Sequence, residues 1–268
     1  MSETVWINGD FRDRSEARLA ALSSSALYGS GVFTTVRIIS GRPFLWEKHW
    51  RRLAANAAAV GIDISEYDSD SVEAPLHELI RLNGVLNGRA RITIFDESPG
   101  AIWPNGSTRR SSVLIMTGEL REVPVDFTLT FSPYRANSAS PLAGIKSCNY
   151  LENLLAFDEA RSRGFNEAIR LNGRGEIAGG CMSNVFWVKG GRLFTPGLNT
   201  GCLPGTTRDF ILESLDCEEA EAGPDVLLEA EAVYLTSAGL GIVAAARLDE
   251  RGLDTSDSLR LGRLLPAG

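Results

Sequence analysis

Short β-branched runs closed by glycine or Asn-Gly turns alternate, twice along this chain, with stretches of helical periodicity. That alternation restricts the chain to an α/β (α+β) architecture. In the first half, residues 5–11 turn at Asn8-Gly9, a short-range hairpin signal. Gly31–Ile39 reads as a strand, and Ser40-Gly41 turns it into a second hairpin through residues 43–46. Helical spacing then runs over 47–60, with Leu53, Ala54, Ala57 and Ala58 in phase and Gly61 as the stop, and again over 71–83. Strands at 89–95 and 112–117 close this first unit. The mixed, Pro124-containing stretch 118–126 reads as a linker.

The second half repeats the alternation. A strand at 127–134 leads through a small-residue loop to Lys146. A helix follows over 149–163, with Leu151, Leu154, Leu155 and Ala160 on one side and Gly164 as its stop. Strands are expected at 168–171, 175–178, 185–188, 232–236 and 241–245, with a helix over 207–215 introduced by Leu203-Pro204-Gly205. The organisation expected is a small N-terminal α/β domain (1–117), the linker (118–126) and a larger C-terminal domain (127–268).

Several function classes are disfavoured by composition. A net charge of −7 argues against a nucleic-acid groove or an anionic membrane surface as the main partner. No window approaches a membrane span, and the charged N-terminal stretch is unlike a signal peptide, so the cytoplasm is the expected compartment. Cys148, Cys181, Cys202 and Cys217 form no CxxC pair and read as reduced thiols. With His49 and His77 the two histidines, no metal site is expected.

The basic residues are more informative, because three lysines stand among 27 basic side chains. Lys48 begins a helix and Lys189 sits in a Lys-Gly-Gly-Arg turn, both ordinary solvated settings. Lys146 lies in Ala-Gly-Ile-Lys-Ser-Cys-Asn-Tyr-Leu, among small and apolar neighbours at a loop-to-helix junction. A lysine kept dry there would have a lowered pKa and act as a nucleophile toward a carbonyl; a snorkelling structural lysine is the plainer reading. Gly205-Thr206-Thr207-Arg208 opens a helix and suits an anion, as a helix cap or as a phosphate cup. Thr236-Ser237-Ala238-Gly239 and Ser183-Asn184 are small-residue turns that allow close approach to backbone.

In this order, these segments resemble a family. Ile145-Lys146-Ser147-Cys148-Asn149-Tyr150-Leu151 and Gly164-Phe165-Asn166-Glu167-Ala168 look like the cofactor-lysine region of class IV aminotransferases, the fold-type IV pyridoxal-phosphate enzymes. Ser183-Asn184-Val185-Phe186, Phe194-Thr195-Pro196 and Leu203–Arg208 continue the match. So do Tyr28-Gly29-Ser30-Gly31-Val32-Phe33 and His49-Trp50-Arg51-Arg52-Leu53 upstream. The family includes branched-chain and D-amino-acid aminotransferases and 4-amino-4-deoxychorismate lyases.

The resemblance implies a barrel-like C-terminal domain, pyridoxal 5'-phosphate as cofactor, an amino-acid or keto-acid substrate, and a homodimer. It also implies roles. Lys146 would be the Schiff-base lysine and proton shuttle. Arg52 would hold the phosphate, with Gly205, Thr206 and Thr207, Ser237 and Ala238. Tyr150 would lie near the phenolic oxygen, and Ser183-Asn184 would form the turn beneath the ring. Phe33, Thr35, Arg37 and Arg91 match substrate-side positions, although alternating strand exposure explains Arg37 and Arg91 equally. His49 has a structural reading.

The weightiest departure from the pattern is at one position; milder ones are Ser30 and Ser24, where relatives carry acids, and the segment after Arg91. The family glutamate five residues before the turn asparagine is Gly179 here, which removes the carboxylate that would keep the pyridine nitrogen protonated. Glu176, three residues away, is expected to point to the opposite face. Transamination through Lys146 is the expected activity, weakened or altered by Gly179. The alternatives are a 4-amino-4-deoxychorismate lyase releasing pyruvate and 4-aminobenzoate, for which Phe33-Thr34-Thr35 is suggestive, and a catalytically degenerate cofactor-binding relative.

Overall fold

The computed structural model describes residues 4–98, 110–120, 122–256, 261, 262 and 264; Met1–Glu3 and Arg121 of the expected linker lie outside them. The chain divides into two compact units. The first comprises residues 1–120 with Ile145–Asn149; the second comprises Arg121–Gly144 and Tyr150–Ala267. Segment 145–149, which a linear division assigns to the C-terminal half, therefore packs with the N-terminal unit.

In the first unit, β1 (Thr4–Ile7) and β2 (Asp10–Asp13) form the hairpin expected at Asn8-Gly9, and both turn residues have positive φ. After the short α1 (Ser24–Tyr28), β3 (Gly31–Ile39) turns at Ser40-Gly41 into β4 (Arg42–Pro43). The second hairpin is shorter than its sequence suggests, because α2 (Trp46–Ala59) begins within it. Next come α3 (Ser69–Leu82), β5 (Gly88–Asp96) and β6 (Ser111–Gly118). Sheet order is β2-β1-β6-β5-β3-β4, antiparallel throughout. Strand alternation gives the sheet two faces. Val32, Val36, Ile38, Ala90, Ile92, Ile94, Val113 and Ile115 share a core with Leu53 and Ala57 of α2 and Leu76 and Leu79 of α3. The opposite face of β3 and β5 carries Phe33, Thr35 and Arg37 beside Arg89, Arg91 and Thr93.

The second unit is built on two five-stranded sheets. It contains β7 (Thr128–Phe131), α4 (Leu151–Ser162), β8 (Glu167–Leu171), β9 (Ile177–Gly180), β10 (Asn184–Lys189) and β11 (Arg192–Pro196). They are followed by α5 (Thr206–Ser214), β12 (Cys217–Ala220), α6 (Asp225–Leu228), β13 (Ala232–Ser237), β14 (Gly241–Ala244), β15 (Arg247–Leu248) and β16 (Arg251–Gly252). One sheet runs β12-β11-β10-β13-β14 and the other β16-β15-β7-β8-β9. Leu129, Ile169 and Ile177 of the second sheet meet Val185, Trp187, Val233 and Leu235 of the first in one shared core, which makes the unit barrel-like.

Helices cover the outer faces. α5 brings Ile211 against Phe186, Val188 and Tyr234. The continuous burial of β10 follows, because its alternate side chains enter two different cores. α4 lays Ala156 and Ala160 on Ala168 and Cys181. This corrects the expected face of that helix: Leu151, Leu154 and Leu155 are 66%, 44% and 54% exposed, and its small residues face inward because the sheet is close. No helix among the described residues is long and apolar enough to cross a membrane, and no cluster of metal-ligating side chains occurs among them.

Candidate active site

Lys146 is placed by backbone pairing rather than by a helix or a regular strand of its own. Residues 146–148 run antiparallel to the start of β3: the Phe33 amide donates to the Lys146 carbonyl at 2.9 Å, and the Cys148 amide to the Gly31 carbonyl at 2.8 Å. Two glycines make room for this approach. A Cβ on Gly31 would meet Cys148 Sγ at 2.9 Å and the Ile94 carbonyl at 3.1 Å. Gly29, at φ +67°, ends α1; Asn149 Nδ2 donates to its carbonyl at 3.0 Å, and a Cβ there would meet the Asn149 side chain at 2.6 Å. The Gly-Ser-Gly signature thus exists to dock the lysine segment.

The lysine side chain then lies among groups of its own sign. Its Nζ is 4.6 Å from the centroid of the Phe33 ring, and the Arg91 guanidinium stands 3.6 Å from the same centroid. Burial lowers the Lys146 pKa to about 7, reinforced by the charges of Arg52 and Arg91. Near pH 7 a large share of this amine is neutral. Arg91 Nε donates to Thr93 Oγ1 at 3.2 Å. Arg37, half-buried on the same sheet face, is lowered from its usual pKa by desolvation, and its Nε has no hydrogen-bond partner among the described residues. Thr35 is opposite Arg91 across the β3–β5 ladder, so Phe33, Thr35, Arg37 and Arg91 are brought to one face.

Arg52 and His49 approach from α2. Thr34, fully buried on the core face of β3, contacts both: its hydroxyl is 2.7 Å from His49 Nδ1 and accepts from Arg52 Nη2 at 2.9 Å. Burial first, then the charges of Arg52 and Lys146, hold the His49 pKa well below its usual value, so the ring is neutral. Sequence reading gave His49 a structural job and did not single out Thr34. The signal was a hydroxyl among Val32, Val36 and Ile38.

The remaining expected residues belong to the second unit. Asn184 Nδ2 donates to the Leu203 carbonyl at 2.8 Å, which pins the loop that opens α5. Gly205 leaves room there for Asn184, whose side-chain oxygen a Cβ would displace. α5 begins with no side-chain cap, and Thr206 and Thr207 are buried in its first turn. A helix N-terminus opened by a glycine, with no side-chain cap from it, suits an anion. Across the ladder from Asn184, the buried Thr236 hydroxyl has no hydrogen-bond partner among the described residues. Ser237 and Ala238 follow in a tight turn where Ser237 Oγ accepts from the Leu240 amide at 3.1 Å. Arg208 binds the Pro196 carbonyl and Glu219, so it braces the unit from beneath. Tyr150, half-buried, stands at the N-terminus of α4.

Behind the Ser183-Asn184 turn lies a carboxylate that sequence reading passed over. Glu167 is wholly buried on β8; its Oε1 accepts from the Met182 amide at 2.6 Å and from Ser183 Oγ at 3.0 Å. Gly179 sits at φ +145°, a conformation open to glycine, and a Cβ would meet the Ser183 carbonyl at 3.1 Å. Glu176 is not on β9 at all. It occupies the turn before it, paired with Arg174 and Asn172.

Comparison with known proteins agrees with this construction. The model of the amino-transferase class IV family matches residues 31–248. This chain belongs to the class IV aminotransferase family. The family is pyridoxal-phosphate-dependent, and its fold-type IV architecture is the one described above. The chain is 30% identical over 257 residues to the aminodeoxychorismate lyase of Bacillus subtilis, covering 92% of this chain and 87% of the relative. It is similar to the branched-chain aminotransferase of Thermoproteus uzoniensis solved with norvaline: TM-score 0.91, 26% identity, 98% and 93% of the two chains covered. An aminotransferase from Brucella abortus, solved bound to PLP, superposes with TM-score 0.87 at 25% identity, covering 98% and 97%.

Two outcomes are expected from this geometry. With the lysines dimethylated using a 13C label, the Lys146 resonance should titrate near pH 7; a Lys146 midpoint at the ordinary lysine value of ~10.4 would contradict the enclosed amine. The Gly179→Ala variant should lose about 1–3 kcal/mol of unfolding free energy in urea titrations, the cost of forcing a side chain into that backbone conformation. A neutral effect would show that the strain is not there.

Proposed function

We propose that this class IV family member moves an amino group from an amino acid to a keto acid on pyridoxal phosphate, with Lys146 as covalent anchor and proton-transferring base. The observation that carries this reading is the enclosed Lys146 amine, held near neutrality by burial and two guanidinium groups on a segment locked to β3. The second unit also fits the cofactor: the uncapped start of α5 suits a phosphate, and the partnerless Thr236 hydroxyl is ready for a ligand.

When bound, pyridoxal phosphate supplies an electron sink that acidifies the substrate Cα–H. The protein supplies the rest. Lys146 Nζ would hold the cofactor through its carbonyl carbon, the oxygen leaving as water, and, when the substrate amine takes its place, would accept and return a proton at that nitrogen. Arg52 and the amides of Thr206 and Thr207 serve the phosphate, with Gly205 keeping the loop clear of a side chain. The turn at Ser237 and Ala238 adds backbone donors. Ser183 and Asn184 would support the cofactor through their turn, and Tyr150 would serve its phenolic oxygen. Phe33, Thr35, Arg37 and Arg91 form the substrate face, where the two guanidinium groups attract a carboxylate.

Gly179 would leave the pyridine nitrogen without a carboxylate from that position, and Glu176 is held in an ion pair with Arg174. Losing one preorganised partner of the transition state costs on the order of a hundred- to a thousand-fold in rate, so slow turnover is part of this reading. A lyase reading, in which 4-amino-4-deoxychorismate loses pyruvate to give 4-aminobenzoate, is favoured by the 30% identity to the Bacillus subtilis lyase. A degenerate, cofactor-binding role is favoured by Gly179 alone.

Four free cysteines accord with a reducing cytoplasm. The exposed Leu151, Leu154 and Leu155 of α4 accord with a homodimer that covers them.

Purified protein with added pyridoxal phosphate should show a visible absorbance band that a Lys146→Ala variant lacks; identical spectra would end the catalytic reading. Pyruvate released from 4-amino-4-deoxychorismate with every keto acid omitted would favour the lyase over the transaminase. Sedimentation should find a dimer that Leu155→Asp converts to monomer, and a monomeric wild type would contradict the assembly.

A further inference from the structure

Thr34 occupies a position where a hydroxyl is out of place. It lies on β3 between Val32 and Val36, opposite Ile92 on β5, and all four residues are fully buried. This sheet face packs on Leu53 and Ala57 of α2. A hydroxyl taken into such a setting is costly unless it is hydrogen-bonded. Here it is bonded twice, to His49 Nδ1 at 2.7 Å and to Arg52 Nη2 at 2.9 Å. His49 and Arg52 are three residues apart on α2 and so share the face turned toward the strand.

Counting protons gives this cluster a direction. A guanidinium donates and never accepts, so the Arg52 contact consumes an acceptor lone pair of Thr34. The hydroxyl keeps its hydrogen for His49, and with the ring hydrogen on Nε2 it donates to the unprotonated Nδ1, the arrangement assigned here. Protonating His49 would turn Nδ1 into a donor, reverse that bond and place a second cation beside Arg52. The depressed pKa of this buried ring opposes that change. One of the five N–H donors of Arg52 is thereby fixed to the sheet, and the plane of the guanidinium with it.

We propose that Thr34 is a positioning residue that orients the Arg52 guanidinium for the cofactor phosphate, with His49 as the acceptor that orients the Thr34 hydroxyl. The proposal rests on the reading above that this chain binds pyridoxal phosphate with Arg52 at its phosphate. It assigns to the threonine a task that catalysis does not require directly.

Thr34→Val removes the hydroxyl while keeping the branched shape, and Val suits an apolar strand face. The test is titration of apo-protein with pyridoxal phosphate and, separately, with pyridoxal, which lacks the phosphate. Thr34→Val should weaken pyridoxal phosphate binding about tenfold and leave pyridoxal binding unchanged, and Thr34→Ser should restore the wild-type difference between the two ligands. Thr34→Ala, folded by circular dichroism, provides a second reading if valine packs badly. Unchanged affinity for pyridoxal phosphate, or equal weakening of both ligands, would overturn the proposal. The two readings fail differently. If wild-type protein shows no Lys146-dependent absorbance band, the cofactor reading falls and this proposal with it. If that band is present and Thr34→Val binds pyridoxal phosphate as tightly as wild type, the positioning role alone falls.

Discussion

The backbone pairing of Lys146–Cys148 with Gly31–Phe33 is the constraint on which the rest of the first unit's chemistry depends. Two amide hydrogen bonds carry a segment distant in sequence to the free edge of β3. There Lys146 comes within reach of Phe33, Arg91 and Arg52. The pairing works because Gly29 and Gly31 present no side chain where Asn149 and Cys148 must lie. From it follow the desolvation of the amine, the positive surroundings, and hence the pKa near 7 that makes a lysine useful toward a carbonyl.

The second unit rests on a comparable device of opposite sign. A buried carboxylate, Glu167, takes the Met182 amide and the Ser183 hydroxyl and so sets the turn that presents Asn184. Asn184 in turn holds Leu203, and with it the glycine-opened start of α5. Gly180 must lack a side chain for this, because a Cβ would meet Ser183 Oγ at 2.3 Å and Glu167 Oε1 at 2.8 Å. A buried carboxylate is tolerable only when hydrogen-bonded in this way.

Much of this was legible in the amino-acid sequence, for identifiable reasons. Gly31–Ile39 combines β-branched content with a Ser40-Gly41 turn, and β3 has those bounds. Lys146 stood out because lysine is rare here and its neighbours are small and apolar. Other features gave no such signal. Leu151, Leu154 and Leu155 have the spacing of a core stripe, yet α4 packs through Ala156 and Ala160, since close approach to a sheet favours small side chains over large ones. β11 and β12 carry charged residues such as Arg192, Glu218 and Glu219 at their exposed edge, which obscures strand periodicity. Thr34 and Glu167 have partners distant in sequence, so only the fold reveals their bonds. Glu176 was expected on a strand, pointing away; an ion pair with Arg174 holds it in the turn instead.

The central claim is that one particular amine, placed by that edge pairing, is the group that takes the cofactor. The most direct measurement is borohydride reduction of the protein loaded with pyridoxal phosphate, followed by peptide mapping. With Lys48, Lys146 and Lys189 as the three candidates, the map is unambiguous. The account predicts one stable adduct per chain, on the peptide containing Lys146. An adduct confined to Lys48 or Lys189, or none at all, would contradict it.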